Sequence, residues 1–336
     1  MNWTDRLVAL ACWVKRGGVI LNYHTLSAEQ TRQQIELWAP HFDFIHHDEL
    51  GRKLERSGKR PFCLITFDDG KKSNLAETAP ELARLGVPAV FYIVTKFTDG
   101  ELPLLWFDTH SEFVKQLGRC PEGLGPLELK RLAQSERLER LEKAYRTHGF
   151  LAGCDAGHTA ALNWDEVRLL HQQGHTIGAH SETHAILTTV PLSEAQREIA
   201  RSISRVSEEL GKRCASFAFP NGNHSEELAR YALGCGVRTV MTTDPTWVGP
   251  AEQPWRLPRV QIHATQPPSR HQFKVFLASF GWLLGNPDDT GRRYVRNRWR
   301  RAAEPGTSPG GGIEEPARRQ EPGTARERAE MEPAGD

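Results

Sequence analysis

Short apolar segments alternate with segments of helical periodicity along residues 18–265, and this alternation limits the possible folds more than any other feature. The apolar segments are nearly continuous rather than polar on every second residue. Continuous apolar strands separated by helices are typical of a parallel sheet covered by helices. The number of strand–helix units indicates a closed or nearly closed sheet. The predicted fold class is therefore α/β, a distorted (β/α) barrel.

Seven segments are predicted to be strands, namely 18–24, 62–70, 87–94, 175–180, 214–220, 237–243 and 256–264. The clearest predicted helices cover 28–39, 74–86, 163–174, 193–211 and 225–236. Asn163 is the expected N-terminal cap of one helix, and Gly86 and Gly211 are the expected ends of two others.

Net charge, cysteine spacing and the first residues limit the partners and the location that the sequence allows. Lys and Arg number 43 against 42 for Asp and Glu, so the bulk charge predicts no nucleic-acid partner. The six cysteines are scattered without a CxxC pair, which favours reduced thiols and a reducing compartment. The apolar stretch 7–14 lacks a small-residue cleavage site after it, so an amphipathic helix is expected there rather than a secretory signal.

Four segments lie outside the strand–helix pattern. Residues 1–17 are predicted to form an N-terminal helix, and the barrel covers 18–270 with an insertion at 99–160 whose charged helical stretch is expected on the surface. Residues 271–301 are predicted to form a C-terminal helical and basic segment, and 273–301 is a candidate for weak peripheral contact with a membrane. A helix docked on the barrel followed by a solvated tail is the favoured interpretation of this stretch. Residues 302–336 contain almost no large apolar side chain and are predicted to be disordered.

The stretch LITFDDG places two carboxylates, Asp68 and Asp69, directly after an apolar strand. Adjacent carboxylates at a buried position raise each other's pKa unless a cation lies nearby. An Asp-Asp-Gly turn also ends many ordinary strands, so this motif is weak by itself.

The stretch AHSETH places His180 and His184 four residues apart after another apolar strand. If Ser181 caps a helical turn, both imidazoles project to one side. One Asp and two His at strand ends of one barrel form a facial triad that holds a divalent metal and leaves open positions. The metal would also allow the second Asp to stay ionised as a general base.

TFDDG, HSETH and FAFPNG occur in this order and resemble three motifs of the polysaccharide deacetylases, the carbohydrate esterase family four with its chitooligosaccharide deacetylase-like domain. The resemblance extends over roughly residues 18–265. WFD at 106–108, within the insertion, is similar to exopolysaccharide-cluster members of that family.

The resemblance implies that Asp68 is the catalytic base and that Asp69, His180 and His184 hold a divalent metal, usually zinc. It also implies that FAFPNG lines the substrate groove. Pro220 and Gly222 are then substrate-binding residues. The backbone N–H of Asn221 is the candidate oxyanion donor.

Two roles are assigned less directly. The family places its general acid on a late strand, where this chain has His263, although Ala264 follows in place of the usual Asp. His24, at the end of the first strand, is the alternative acid and otherwise a residue of the pocket wall. An Arg that pairs with the base in many members is replaced by Ala218, and Arg259 is the candidate substitute. A surface ion pair is the alternative role of Arg259.

The predicted function is metal-dependent removal of N-acetyl groups from an amino-sugar polysaccharide or oligosaccharide, with release of acetate. An O-acetyl esterase or other amide hydrolase on the same metal site is one alternative. A non-catalytic glycan-binding protein is the other, and Ala218 is the feature that supports it. The expected location is cytoplasmic with membrane association, or alternatively the cell envelope, and the sequence predicts no oligomeric state.

Overall fold

Eight parallel strands form one sheet in the computed structural model, which describes residues 3–56, 58–150, 160–250 and 252–280. The strands are β1 (Gly18–Tyr23), β2 (Asp43–Phe44), β3 (Phe62–Phe67), β4 (Ala89–Ile93), β5 (Thr176–Ala179), β6 (Ser216–Ala218), β7 (Thr239–Met241) and β8 (Val260–Gln261). The seven predicted strands all contain an observed one. The two-residue strand β2 was not predicted.

The sheet curls until its two edges meet at one segment of chain. The strand order is β7-β6-β5-β4-β3-β1-β8, and β2 pairs with β3 beside this path. Leu257 forms a parallel bridge with Met241 in β7, and a few residues later Val260 pairs with Leu21 in β1. Residues 257–261 therefore link both edges, which confirms the predicted distorted barrel.

Twelve α-helices cover the sheet and its insertion within the described residues. They are α1 (Trp3–Val14), α2 (Ala28–Trp38), α3 (Leu50–Glu55), α4 (Ala79–Leu85), α5 (Thr95–Thr98), α6 (Trp106–Leu117), α7 (Pro126–Arg131), α8 (Gln134–Thr147), α9 (Trp164–Gln172), α10 (Leu192–Leu210), α11 (Glu226–Gly234) and α12 (Pro268–Ala278). The predicted ends are confirmed, since Asn163 caps α9 and left-handed Gly86 and Gly211 end α4 and α10.

The period of two along each strand divides the sheet into a helix-facing side and a barrel interior. Val19 and Leu21 pack in the core beneath the helices, whereas Ile20 packs in a second cluster with Leu64 and Met241. The second cluster fills the barrel interior. Polar residues at positions in phase with it therefore point into the barrel.

The insertion folds around a small core of its own, formed by Phe113, Leu124, Leu129, Leu141 and Phe150. Residues 95–147 supply the four helices α5, α6, α7 and α8. Helix α8 is mostly exposed, as the charged pattern predicts, but Arg137 and Leu141 on it are buried.

The two terminal helices of the described chain, α1 and α12, contact each other. Helix α12 begins at Pro268, three residues before the predicted C-terminal segment. Among the described residues, no helix is long and apolar enough to cross a membrane. The rest of the predicted membrane-contacting segment, 281–301, and the predicted disordered tail, 302–336, lie outside the described residues.

Candidate metal centre and active site

Three side chains with metal-binding atoms converge at the carboxyl edge of the sheet. Asp69 follows β3, and His180 and His184 follow β5, so parallel strands bring them to the same edge. One such atom from each residue lies within 4.8 Å of the others. Asp69 Oδ1 is 3.4 Å from His184 Nε2 and 3.8 Å from His180 Nε2. These are the three residues that the two motifs predicted.

The donor atoms of this trio fit a divalent ion. Both carboxylate oxygens of Asp69 are buried without a hydrogen-bond partner among the described residues. His180 donates from Nδ1 to the Ala218 carbonyl at 2.8 Å, which turns its Nε2 toward the other two ligands. At zinc–ligand distances of about 2.0–2.1 Å, tetrahedral ligands lie roughly 3.4 Å apart, close to the separations measured here. Zinc therefore fits this set of ligands.

Backbone strain is concentrated at this site. Four non-glycine residues in the described chain have a positive φ, and all four belong to the motifs: Asp69 (79°), Ser181 (64°), His184 (58°) and Asn221 (57°). A left-handed backbone at a non-glycine residue costs about 1–3 kcal/mol and persists only where the surroundings enforce it. The fold is therefore less stable by this cost, and the strained backbone fixes the orientation of these groups.

The loop between the two histidines is a tight turn rather than the helical turn considered from the sequence. Ser181 Oγ accepts a hydrogen bond from the His184 N–H at 3.0 Å, so the predicted capping contact is present. Positive φ angles at Ser181 and His184 prevent a helix. The imidazole rings nevertheless lie close, with centroids 5.0 Å apart.

Glu198 on α10 fixes this loop from behind. Its Oε2 accepts hydrogen bonds from the backbone N–H groups of Glu182 and Thr183, both at 2.9 Å. Its Oε1 accepts one from the Thr183 hydroxyl at 2.7 Å. Glu198 is buried. Sequence reasoning missed this residue, because its only signal is an acidic side chain at a core-facing position of α10.

Arg259 and Asp68 form the bidentate pair that the sequence predicted. Nη1 and Nη2 of Arg259 donate to Oδ1 and Oδ2 of Asp68 at 2.7 and 2.9 Å. Arg259 is 0% exposed and is itself held by the Thr242 carbonyl, which accepts from its Nε at 2.9 Å. Because Arg259 supplies the cation that Ala218 cannot, the replacement at Ala218 no longer favours a protein without turnover.

Asn22 is a further partner of Asp68 that sequence reasoning missed. Its Nδ2 donates to Asp68 Oδ2 at 2.9 Å. Asn22 and Asp68 both lie in phase with the barrel interior, as do Thr66 and Tyr92, whose ring lies 5.2 Å from the Arg259 guanidinium. A polar residue inside the otherwise apolar strand VILNY was the available signal.

Both carboxylates stay ionised despite their burial. Burial raises the pKa of Asp68, but the charge and hydrogen bonds of Arg259 outweigh it and leave that pKa below its usual value. Burial also raises the pKa of Asp69, but the close approach of His184 and the neighbouring charges of His24 and Lys71 outweigh it and leave that pKa below its usual value. One ionised ligand thus lies next to one ionised candidate base.

The structure separates the two histidines considered as the general acid. His24 lines the cavity above the metal centre, close enough to Asp68 and Asp69 for their charges to raise its pKa against the larger effect of burial, which lowers it. His263 is exposed and is not among the residues that line the cavity. Gln261, the last residue of β8, lines the cavity. His263 would follow it on the same face if the strand continued, but it lies beyond the end of the strand and outside the cavity.

The PNG turn after β6 contributes two of its three residues to the cavity. Asn221 and Gly222 line it, whereas Pro220 is buried and shapes the turn without lining it. Gly222 has φ 76°, and a Cβ there would lie 1.7 Å from Thr243 Oγ1. Only glycine fits this position. Of the predicted substrate-binding residues, His24 and Gly222 reach the cavity and Pro220 does not.

The insertion contacts the candidate metal ligand His184 through α6, a contact that the sequence did not predict. The ring of Phe107 packs edge-on against the ring of His184 at 5.0 Å. Lys71 donates to Asp108 Oδ1 at 2.8 Å, and both side chains are nearly buried. WFD therefore ties α6 to the segment that follows Asp69.

The cavity in front of the metal centre has a volume of about 390 Å³. Its lining residues are Asn22, His24, Asp68, Trp106, Phe107, His110, Ser111, Val114, Cys120, Pro126, Lys130, His180, His184, Asn221, Gly222, Thr243 and Gln261. Nearly half of them come from the insertion. This size lies within the range of small-molecule sites.

The sheet is curled and parallel, and an Asp–His–His cluster lies at its carboxyl edge beside Asp68, which Arg259 holds. This combination is typical of α/β-barrel hydrolases with an active site at the strand ends. The chain belongs to the polysaccharide deacetylase family, whose model matches residues 55–240. It is a deacetylase by family and therefore a hydrolase. No curated protein matches the sequence significantly.

Solved structures share the fold at low sequence identity. IcaB from Ammonifex degensii is 18% identical with a TM-score of 0.53, and the match covers 79% of this chain and 97% of that one. A de-N-acetylase from Aggregatibacter actinomycetemcomitans is 14% identical with a TM-score of 0.54, covering 78% and 100%. The deacetylase PplD from Streptococcus pyogenes is 16% identical with a TM-score of 0.52, covering 77% and 97%.

Proposed function

We propose that this chain removes N-acetyl groups from an amino-sugar polysaccharide or oligosaccharide with the help of a divalent metal, zinc. The observation that carries the proposal is the convergence of Asp69, His180 and His184 beside the Arg259-clamped Asp68. When bound there, the metal would polarise the acetamide carbonyl and acidify a water molecule. The remaining chemistry belongs to side chains of the chain itself.

Asp68 is proposed to take the proton of the attacking water. The bidentate contact with Arg259 and the hydrogen bond from Asn22 hold its carboxylate in one orientation. Arg259 also keeps the carboxylate ionised, because its charge lowers the pKa of Asp68. A base must be both ionised and oriented before it accepts the proton.

The later steps are assigned to two other residues that line the cavity. The left-handed turn places Asn221 at the cavity wall, where its backbone N–H is the proposed donor to the oxyanion. His24 is proposed to protonate the leaving amine, because it lines the cavity and the alternative His263 does not. The amide C–N bond breaks as the proton arrives, giving acetate and a free amine.

An exopolysaccharide is the proposed type of substrate. The WFD motif that resembled exopolysaccharide-cluster proteins contacts the metal ligand His184 through Phe107. IcaB and the de-N-acetylase are among the proteins that share the fold. An O-acetyl ester could be hydrolysed at the same centre, so the acyl linkage is the point to test.

The test measures acetate released from tetra-N-acetylchitotetraose and from acetylated xylan by the zinc-supplemented protein, with new free amines counted in parallel. N-deacetylation predicts equal amounts of acetate and amine from the chitooligosaccharide, and Asp68→Asn is the control for background hydrolysis. Release from xylan alone would replace the proposal with an O-acetyl esterase. Glycan binding with no release from either substrate would replace it with a binding protein.

A further inference from the structure

We propose that one face of α6 forms a subsite for the sugar residue next to the one that is deacetylated. This inference rests on the proposed function, since it names how the same cavity holds its glycan. The face consists of Trp106, Phe107, His110, Ser111 and Val114, which line the cavity at a spacing of three to four residues. Phe113 borders this face in the core of the insertion, against which Trp106 and Val114 also pack.

The two walls of the cavity differ in chemistry. The barrel wall consists of polar side chains and one glycine: Asn22, His24, Asp68, His180, His184, Asn221, Gly222, Thr243 and Gln261. The insertion wall contains the large apolar groups, with indole, phenyl, isopropyl and pyrrolidine surfaces from Trp106, Phe107, Val114 and Pro126. A ligand for such a cavity has a polar reacting group on one side and an apolar face on the other.

Trp106 has the properties of a fixed stacking platform. Its indole lines the cavity, and the guanidinium of Arg137 lies over the ring at 4.8 Å from the centroid. Arg137 is itself 0% exposed, and its Nη2 donates to Gln134 Oε1 at 2.6 Å. A buried cation against an indole restricts the motion of the ring at the cavity wall. Arg137 is thus a positioning residue for Trp106.

His110 adds a polar group to this apolar wall, one turn further along α6. It is 6% exposed and lines the cavity. Its Nε2 is buried and has no hydrogen-bond partner among the described residues, whereas a backbone hydrogen bond with Leu124 engages the ring. A buried polar nitrogen without a partner is costly, and a ligand hydroxyl or amide would satisfy it.

A pyranose ring matches both features. Its axial C–H bonds form an apolar face that stacks on an aromatic ring, and its hydroxyl and acetamide groups project from the rim. Trp106 would contact the face while His110 Nε2 would bond a group on the rim. The metal centre lies across the same cavity, so the residue held by α6 is a neighbour of the reacting sugar in one chain.

The test compares tetra-N-acetylchitotetraose with N-acetylglucosamine on the zinc-supplemented full chain. Dissociation constants come from titration calorimetry in the Asp68→Asn background, which suppresses turnover, and KM and kcat come from acetate release by chains with Asp68. Trp106→Leu keeps an apolar side chain without the ring, and Trp106→Phe restores an aromatic ring. His110→Phe removes the nitrogen at similar volume. Gln116→Ala, an exposed change on the same helix, is the matched control.

We expect Trp106→Leu to weaken binding of the tetrasaccharide about tenfold and His110→Phe to weaken it severalfold, each mainly through KM. Affinity for the monosaccharide should change far less, and Trp106→Phe should recover part of the loss. Equal losses for both sugars, unchanged tetrasaccharide affinity, or no tetrasaccharide binding by the parent chain would each overturn the subsite. Trp106-dependent binding without acetate release would instead uphold the subsite and contradict the proposed function.

Discussion

Arg259 and Asp68 are joined by two hydrogen bonds of 2.7 and 2.9 Å inside the barrel, where Arg259 is 0% exposed. The two residues lie 191 positions apart in the sequence. Arg259 directly precedes β8 and Asp68 directly follows β3, so closure of the curled sheet and orientation of the candidate base depend on the same contact. Removing one partner would leave a buried charge without compensation.

Arg259→Ala is expected to lower kcat on the order of 10–100-fold with little change in zinc content. Asp68 loses the bidentate hydrogen bonds that orient it, whereas the candidate zinc ligands are unchanged. The substitution should also move the acidic limb of the pH–rate profile upward, since loss of the cation raises the pKa of Asp68. Arg259→Lys should restore the position of the acidic limb more fully than it restores kcat. An ammonium replaces the charge of the guanidinium but not its planar pair of N–H donors. An unchanged pH profile for Arg259→Ala would disprove this role.

Substitutions of the two adjacent carboxylates, Asp68 and Asp69, should have different effects on zinc content and turnover. Asp68→Asn is expected to retain zinc and lose turnover by about 10²–10⁴-fold, the range typical of a general base. Asp69→Asn should release zinc, because Asp69 offers the unpaired oxygens that face the histidines. Elemental analysis of both purified variants decides the assignment. Equal zinc loss in the two would refute it.

Glu198→Ala should weaken metal affinity by about 10–100-fold although Glu198 is not a ligand, because it removes three hydrogen bonds from the loop between the histidines. Glu198→Gln should recover part of the affinity, since one amide oxygen still accepts. Competition with a chromogenic zinc chelator measures the change. Gln196→Ala on the same helix is the control, and a Glu198→Ala affinity equal to that of the control would rule out the positioning role.

Acid should destabilise the fold through two buried histidines remote from the metal ligands. Burial, with a smaller effect from Arg238, lowers the pKa of His47 to about 4, and burial lowers that of His175 to about 4 as well. Their neutral forms stabilise the fold above pH 6.5, and each contribution, about 3 kcal/mol, is lost as pH falls from 6.5 toward 4. Urea unfolding between pH 7 and 4.5 should show this loss, and His47→Gln should reduce its slope. A pH-independent unfolding free energy would contradict the assignment.

Local patterns in the sequence were sufficient for the parts of the fold set by neighbouring residues. Continuous apolar runs marked the strands, and Asn163 and Gly211 marked helix boundaries that the structure confirms. The convergence of Asp69, His180 and His184 was predictable because parallel strands bring their carboxyl ends together. The contact of Arg259 with Asp68 followed from a missing charge at Ala218 and an available one at a strand end.

Features that depend on where strands stop and how an insertion packs were not predictable. His263 would face the barrel if β8 continued, but the strand ends at Gln261. The sequence of α8 in the insertion predicts a charged surface helix. No pattern within α6 predicts its contact with His184. The contact of Glu198 with Thr183 joins α10 to the loop after β5, 15 residues apart in the sequence. The location and the membrane contact through 273–301 stay predictions.

The central claim is that one metal held by Asp69, His180 and His184 is required for deacetylation. The most direct measurement removes metal from the wild-type chain with a chelator, returns zinc in fractional steps, and records bound zinc and acetate released from tetra-N-acetylchitotetraose at each step. The account predicts that activity rises in proportion to bound zinc, reaches its maximum at one zinc per chain, and stays near background in Asp69→Asn. Full activity in the metal-stripped chain, or activity in Asp69→Asn equal to wild type, would contradict it.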